Sequence, residues 1–150
     1  MSEEIEIRRM QRDDLPAVLA IQSELGFQNW KSGHFEAEIA DLKYSLPWVL
    51  IIGNIQAYMV LKILGDEAEL CSIATHPSSQ RCGLARTLLQ KGVDVLQLGG
   101  VQQIFLEVRR SNLAAQALYR RCSFLDNGVR RQYYPDGEDA LLMVRNHVSR

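Results

Sequence analysis

The chain opens on alternation: Ile5-Glu6-Ile7 puts apolar side chains on one face and predicts a short strand. From Leu15 the spacing becomes helical, with Leu15, Val18, Leu19, Gln22 and Leu25 on one side. Asp13-Asp14 stands where an N-terminal cap belongs, Pro16 occupies the tolerated first turn, and Gly26 marks the end. A loop carrying Phe27 and Trp30 then leads to a second helix expected from His34 to Leu42. Trp48-Val49-Leu50-Ile51-Ile52 is a dense apolar run of strand length. Gly53-Asn54 supplies turn chemistry and Ile55 to Leu64 a hairpin partner, while Gly65-Asp66 turns the chain again into a fourth strand, Ala68 to Thr75.

After Thr75 the period changes. Pro77 to Gly83 is a polar loop, and Leu84, Leu88, Leu89, Val93 and Leu96 form one stripe of a helix running from Leu84 to Leu98, ended by Gly99-Gly100. Val101 to Val108 is expected as a strand and Leu113 to Cys122 as a helix. Ser123 to Tyr134 and Ala140 to Arg145 are expected as a closing antiparallel hairpin. The order β-α-α-β-β-β-α-β-α-β-β places a meander before a β-α-β crossover. It predicts a mixed-sheet α/β (or α+β) domain, with residues 1–150 forming a single domain.

Composition narrows the function classes. The chain has 150 residues, 47% apolar and 23% charged, enough to build one core. Lys plus Arg number 17 against 18 for Asp plus Glu, a formal charge of −1. That balance argues against a dedicated nucleic-acid binder, which needs clustered positive charge. No apolar run approaches the ~20 residues of a transmembrane helix, and the acidic start Met1-Ser2-Glu3-Glu4 is the reverse of a signal peptide's basic one, so a soluble cytoplasmic protein without membrane partners is expected. Cys71, Cys82 and Cys122 are odd in number and widely spaced, and His34, His76 and His147 lie far apart. Reduced thiols and no metal site are therefore expected.

A β-α-β crossover makes its two strands parallel and is almost always right-handed. The end of the strand at Thr75, the start of the helix after Gly83 and the end of the strand at Val108 therefore meet at one edge of the sheet, where ligands of such sheets bind. The helix start offers unpaired N–H groups and a positive dipole end, which suit a phosphate. In Gln80-Arg81-Cys82-Gly83-Leu84-Ala85-Arg86, Gly83 permits close backbone approach, Ala85 keeps the surface flat, and Arg81 and Arg86 add charge. The same segment is also compatible with a plain helix cap carrying two solvated arginines. No Gly-Lys-Ser/Thr follows, which excludes a Walker loop, and the missing second and third glycines exclude a Rossmann fingerprint.

Gln80-Arg81-x-Gly83-x-Ala85 resembles the Q/R-x-x-G-x-G/A signature of the GNAT acyl-CoA N-acetyltransferases. The likeness extends to Leu106-Glu107-Val108-Arg109, Ser111-Asn112, Ala115 and Ala117-Leu118-Tyr119. Cys122-Ser123-Phe124 stands where Gly-Phe is usual. Arg130-Arg131-Gln132-Tyr133-Tyr134-Pro135, followed by Glu138-Asp139-Ala140, resembles the RimI subgroup, the ribosomal-protein-alanine N-acetyltransferases. The motifs between Ile73 and Met143 are specific, whereas the first 70 residues are only compatible.

The resemblance implies a GNAT fold and acetyl-CoA as cosubstrate. Its pantetheine arm would be held by Ile73, Ala74 and Thr75, its pyrophosphate by Arg81, Cys82, Gly83, Leu84, Ala85 and Arg86, with Asn112 contacting it from the other side. Glu107 is implied as the base that frees the acceptor amine and Tyr119 as the acid for the CoA sulfur. From the residues alone, Glu107 could equally pair with Arg109, and Tyr119 could be a core tyrosine. Trp30, Tyr133 and Tyr134 are implied to line the acceptor site, although the loop Phe27-Gln28-Asn29-Trp30-Lys31-Ser32 lacks the subgroup's usual proline before tryptophan. The implied acceptor is a protein or peptide N-terminus, a ribosomal protein among the candidates, used directly in a ternary complex by a monomer or weak homodimer. A protein lysine or small-molecule amine is the alternative acceptor, and a non-catalytic acyl-CoA sensor the alternative class.

Overall fold

The computed structural model describes residues 4–26 and 30–147. Strand β1 (Glu6–Arg9) leads through a 3-10 turn (Arg12–Asp14) into helix α1 (Leu15–Leu25), then α2 (Ser32–Ala40), β2 (Ser45–Ile52), β3 (Asn54–Leu64) and β4 (Glu67–Thr75). A second 3-10 turn (Pro77–Ser79) precedes α3 (Leu84–Leu98), followed by β5 (Gln103–Arg109), α4 (Leu113–Arg121), β6 (Leu125–Arg130) and β7 (Ala140–Asn146). The order of elements matches that predicted from the apolar pattern. The strands form one seven-stranded sheet in the order β1-β2-β3-β4-β5-β7-β6. Among the described residues only β4 and β5 pair in parallel; the other neighbours are antiparallel.

Residues 57–61 of β3 are buried without a break because helices cover both faces of the sheet. Ala57, Met59 and Leu61 face Leu88, Leu89, Val93 and Leu96 of α3. Tyr58 and Val60 face Val18 and Ile21 of α1 and Phe35 of α2. At Gly92 the helix lies so close to the sheet that a Cβ would sit 2.6 Å from Leu61 Cδ1 and 2.8 Å from Met59 Cε.

Local boundaries differ from expectation for identifiable reasons. Asp14 does not cap α1 with its side chain. Its carboxylate instead accepts from the Gln11 N–H (2.7 Å) and from Arg8 (2.7 and 2.9 Å), tying β1 to the start of the helix layer. Helix α2 begins at Ser32 rather than His34, because His34 Nδ1 reaches back to accept from the Lys31 N–H at 2.9 Å and closes the first turn. It ends at Ala40, with Asp41 as its C-cap, not at Leu42. Strand β5 starts at Gln103 rather than Val101. Strand β6 stops at Arg130, so Tyr133 and Tyr134 lie in the loop between β6 and β7. Phe27, Gln28 and Asn29, expected in the loop after α1, fall outside the described residues.

The feature that shapes the functional edge is in β4. Leu70 pairs with Leu61 of β3, but the next paired residue, Val60, meets Ser72. Cys71 is the extra residue of a β-bulge, a device that bends its strand. Pairing of β4 with β5 runs from Glu67↔Gln103 to Leu70↔Leu106 and stops there. Beyond the bulge, Ile73, Ala74 and Thr75 remain paired to Met59, Tyr58 and Ala57 of β3, while their other edge has no partner in β5.

Candidate active site

The parting of β4 and β5 opens a cavity of about 430 Å³. Leu70, Cys71, Ser72 and Ile73 line it from β4, and Leu106, Glu107, Val108 and Arg109 from β5. Asn112 and Tyr119 of the α4 segment, Gln22, Gly26 and Trp30 at the far wall, and Tyr134 from the β6–β7 loop complete it. Of the sequence-predicted residues it therefore brings together Trp30, Ile73, Glu107, Asn112, Tyr119 and Tyr134. Ala74 and Thr75 are buried and do not line it, and the Thr75 carbonyl accepts from the Gln80 side chain at 3.3 Å. Arg81 to Arg86 and Tyr133 also lie outside the lining. Gln22, Gly26, Cys71, Ser72 and Arg109 were not singled out from the sequence as site residues; a bulge that turns Cys71 and Ser72 into the gap leaves no mark in the apolar pattern.

On β5, Ile104, Leu106 and Val108 are buried in the α3 core, so alternation sends Phe105, Glu107 and Arg109 to the opposite face. Glu107 does not pair with Arg109. Its Oε1 lies 3.6 Å from Arg130 Nε, and its carboxylate, beside the Tyr133 hydroxyl, raises Tyr133 above the ordinary phenol value. Arg109 turns instead to the β6–β7 loop, where its Nη1 donates to Asp136 and Glu138, each at 2.9 Å.

Tyr119 is held by α4 and by the turn before it. Asn112 Oδ1 accepts from the Ala115 N–H at 3.1 Å, an N-terminal cap, and the buried Gln116 amide donates to the carbonyls of Arg109 (3.1 Å) and Arg110 (2.9 Å). The Tyr119 ring is 7% exposed and meets Phe124 at 6.0 Å. Burial, with Tyr134 nearby, drives its hydroxyl well above the ordinary 10.0, so it is protonated at neutral pH. Cys71, half-buried, is pushed up to about 12, chiefly by desolvation and then by Glu69, and is a neutral thiol rather than a nucleophile.

At the N-terminus of α3, Gly83 sits in the left-handed region (φ +77°), and a Cβ there would meet nothing within 4 Å. No side chain caps this helix, so the N–H groups of its first turn have no side-chain acceptor, which is the condition for an anion site. Arg81 also has positive φ (66°), so the loop is held in an uncommon conformation immediately before the helix. Its edge of the sheet is that of the unpaired side of β4. A helix start without a side-chain cap and a strand edge without a β5 partner together fit a ligand with a phosphate at one end and an amide-bearing arm at the other.

A three-layer domain whose single parallel strand pair parts over such a cavity is the architecture of an acyl-CoA N-acyltransferase. Residues 6–124 match the Acetyltransferase (GNAT) family, and the chain belongs to it. It is 37% identical over 141 residues to the ribosomal protein bS18-alanine N-acetyltransferase of Escherichia coli (strain K12), covering 92% of this chain and 95% of that one. The same comparison with the Salmonella typhimurium enzyme of that name gives 36% over 134 residues, 87% and 90% of the two chains. The crystal structure of the ribosomal-protein-S18-alanine N-acetyltransferase from Escherichia coli superposes with a TM-score of 0.88 at 36% identity, over 98% of this chain and 96% of that one. Ard1 from Thermoplasma volcanium shares the fold at the same TM-score of 0.88 with 19% identity, over 97% of this chain and 99% of that one. The protein is an acetyl-CoA-dependent N-acetyltransferase. No helix among the described residues is long and apolar enough to cross a membrane.

Proposed function

We propose that the protein acetylates the N-terminal α-amine of a protein, a ribosomal protein with N-terminal alanine being the acceptor class, in the cytoplasm, within one domain spanning residues 1–150. The observation that carries this reading is the wall of the cavity opposite the cofactor edge, built by Trp30 and by Tyr134 from a loop that also brings Tyr133 to Glu107. The relatives named above support the acceptor class. In this reading the working unit is a monomer or a weak homodimer.

Acetyl-CoA supplies an activated thioester. In this reading the unpaired edge at Ile73, Ala74 and Thr75 holds its amide-bearing arm. The N–H groups and side chains of Arg81, Cys82, Gly83, Leu84, Ala85 and Arg86 hold its phosphates, and Asn112 contacts it from β5's side. An α-amine has a pKa of ~8 and is largely protonated near neutrality, so it needs a proton acceptor before it can attack. Glu107 is that acceptor, with Tyr133 and Arg130 orienting its carboxylate. Tyr119 donates toward the departing sulfur. Burial that keeps its phenol neutral also disfavours a bare thiolate in the same cavity, so a hydrogen bond from Tyr119 strengthens as charge develops there. Because the thioester is already activated, holding amine and carbonyl together supplies much of the acceleration.

Thiol release from acetyl-CoA tests the acceptor directly. The panel contains peptides with free N-terminal Ala, Ser, Met or Gly, lysine peptides with blocked N-termini, and small amines. Turnover confined to free N-termini supports the reading. Turnover only on blocked lysine peptides or small amines replaces the acceptor class, and acetyl-CoA binding without turnover on any of them makes the protein a sensor.

A further inference from the structure

The β6–β7 loop that forms the acceptor wall has little apolar anchorage: residues 131–133 are exposed and Tyr134 is only partly covered. Charge holds it instead. Arg109 Nη1 bridges Asp136 and Glu138 at 2.9 Å each, and the guanidinium lies 4.0 Å from the centre of the Tyr134 ring. The second oxygen of Glu138 accepts from the Ser111 N–H at 2.7 Å, so one carboxylate clamps the loop both to β5 and to the turn that starts α4. Arg110 pairs with Asp139 at 3.2 Å, and Asp139 in turn accepts from the Gln132 N–H at 2.9 Å. Inside the loop, the Gly137 N–H donates to the Tyr134 carbonyl and the Tyr134 N–H to the Glu138 carbonyl, closing a turn around Pro135. The acidic run Asp136 to Asp139 is thus spent on anchoring the loop rather than displayed to an incoming basic peptide.

Arg109 is the point where these contacts converge. It stands two residues from Glu107 on the same face of β5, lines the cavity itself, and grips the segment that carries both Tyr134 and Tyr133. We propose that Arg109 is a positioning residue for the acceptor: it holds the β6–β7 loop closed over the cavity through Asp136 and Glu138, and fixes the Tyr134 ring against which the acceptor chain lies. It touches no reacting atom, and its contribution falls on acceptor binding rather than on acetyl-CoA. The chemistry explains why arginine suits the position. One nitrogen serves both carboxylates while the rest of the flat, delocalised cation covers an aromatic face; a lysine has a single point charge and no planar group to cover the ring while it bridges the carboxylates.

The proposal rests on the acyl-transfer reading of this cavity, and the test separates the two. Steady-state constants are measured for wild type, Arg109→Met, Arg109→Lys, the pair Asp136→Asn with Glu138→Gln, and Arg109→Met combined with that pair. The acceptor is whichever amine the wild type turns over, and thermal midpoints and acetyl-CoA dissociation constants are measured in parallel. The expected result for Arg109→Met is an acceptor KM raised about tenfold, with the acetyl-CoA dissociation constant changed less than twofold. Arg109→Lys should recover part of that loss. Adding the carboxylate substitutions to Arg109→Met should raise KM no further, because the contact is already gone. An unchanged acceptor KM overturns the proposal. So does a parallel loss of acetyl-CoA affinity, acceptor affinity and thermal midpoint that lysine does not relieve. If the wild type itself releases no thiol with any amine, the acyl-transfer reading fails, and the Arg109 proposal is overturned with it.

Discussion

The β4–β5 pair is two structures in one. From Glu67 to Leu70 it is an ordinary parallel ladder against Gln103 to Leu106, with Ala68, Leu70, Ile104 and Leu106 buried against α3. From Cys71 onward the same strands part, and Ser72, Ile73, Glu107 and Arg109 line a cavity instead of each other. The closed half owes its shape to apolar packing against α3 on one face, with Glu67 and Glu69 exposed on the other; the open half owes its shape to a single extra residue and is held by capping bonds and ion pairs. A sheet that stayed paired to Thr75 would have a better core and no place for a ligand. Stability and function are therefore separable along one pair of strands, and substitutions should divide accordingly.

The largest effect is expected in the closed layer. Leu89 is fully buried against β3, and Leu89→Ala should cost about 2–5 kcal/mol in denaturant unfolding. The acetyl-CoA affinity of the folded fraction should be unchanged; a loss of affinity without a loss of stability would break the division. In the open half, Tyr119→Phe should lower kcat by roughly ten- to a thousandfold with little change in either KM. Because burial raises the Tyr119 pKa above 10.0, wild-type kcat should hold a plateau to at least pH 10, and a fall in kcat tracking an ordinary phenol would count against this assignment. At the phosphate end, Gly83→Ala forces a side chain into the left-handed region at a cost of roughly 1–2 kcal/mol. Where the ligand meets that turn, the acetyl-CoA dissociation constant should rise by about five- to thirtyfold while the acceptor KM stays put, read by titration calorimetry.

The smallest effect concerns Asp14, which lies outside the β4–β5 pair, between β1 and α1. Arg8 first, and then the Gln11 N–H, hold its carboxyl below the ordinary 3.8 against the opposing effect of burial. A carboxylate whose pKa is lowered by folding stabilises the fold above its unfolded value and loses that contribution as pH falls through the folded value. Asp14→Asn should therefore lower the thermal midpoint near neutrality, with the gap to wild type closing below about pH 4 as the native carboxyl protonates. A gap that persists unchanged into acid would mean that the contact is not electrostatic. Activity should be indifferent to the substitution at any pH where the protein is folded.

The closed half was also the legible half. The stripe Leu84, Leu88, Leu89, Val93, Leu96 gave α3 to the residue, because periodic apolar burial is written directly into the chain. Boundaries set by side-chain hydrogen bonds were less legible: His34 starts α2 two residues early by capping Lys31, and Asp14 serves Arg8 rather than α1. In the open half, the motif residues Glu107, Asn112 and Tyr119 were found through their resemblance to a family, and they line one cavity. The partners that organise them were not found. Arg109 and Glu107 are two apart on one strand and invite pairing, yet each is claimed by the β6–β7 loop, through Glu138 and Asp136 for the one and Arg130 and Tyr133 for the other. Contacts between residues some 25 positions apart depend on how two strands part, and no local spacing records that.

The most direct test of the central claim is single-turnover acetyl transfer by Glu107→Gln, with acetyl-CoA bound in advance and an α-amine peptide added across pH 6 to 9. If Glu107 takes the amine's proton in the open half of the strand pair, acetyl-CoA binding is unchanged and transfer at pH 7 falls at least tenfold. The deficit then shrinks toward pH 9 as more of the amine is already neutral. Transfer at the wild-type rate across that range would contradict the account, and so would a deficit that arises from weaker acetyl-CoA binding.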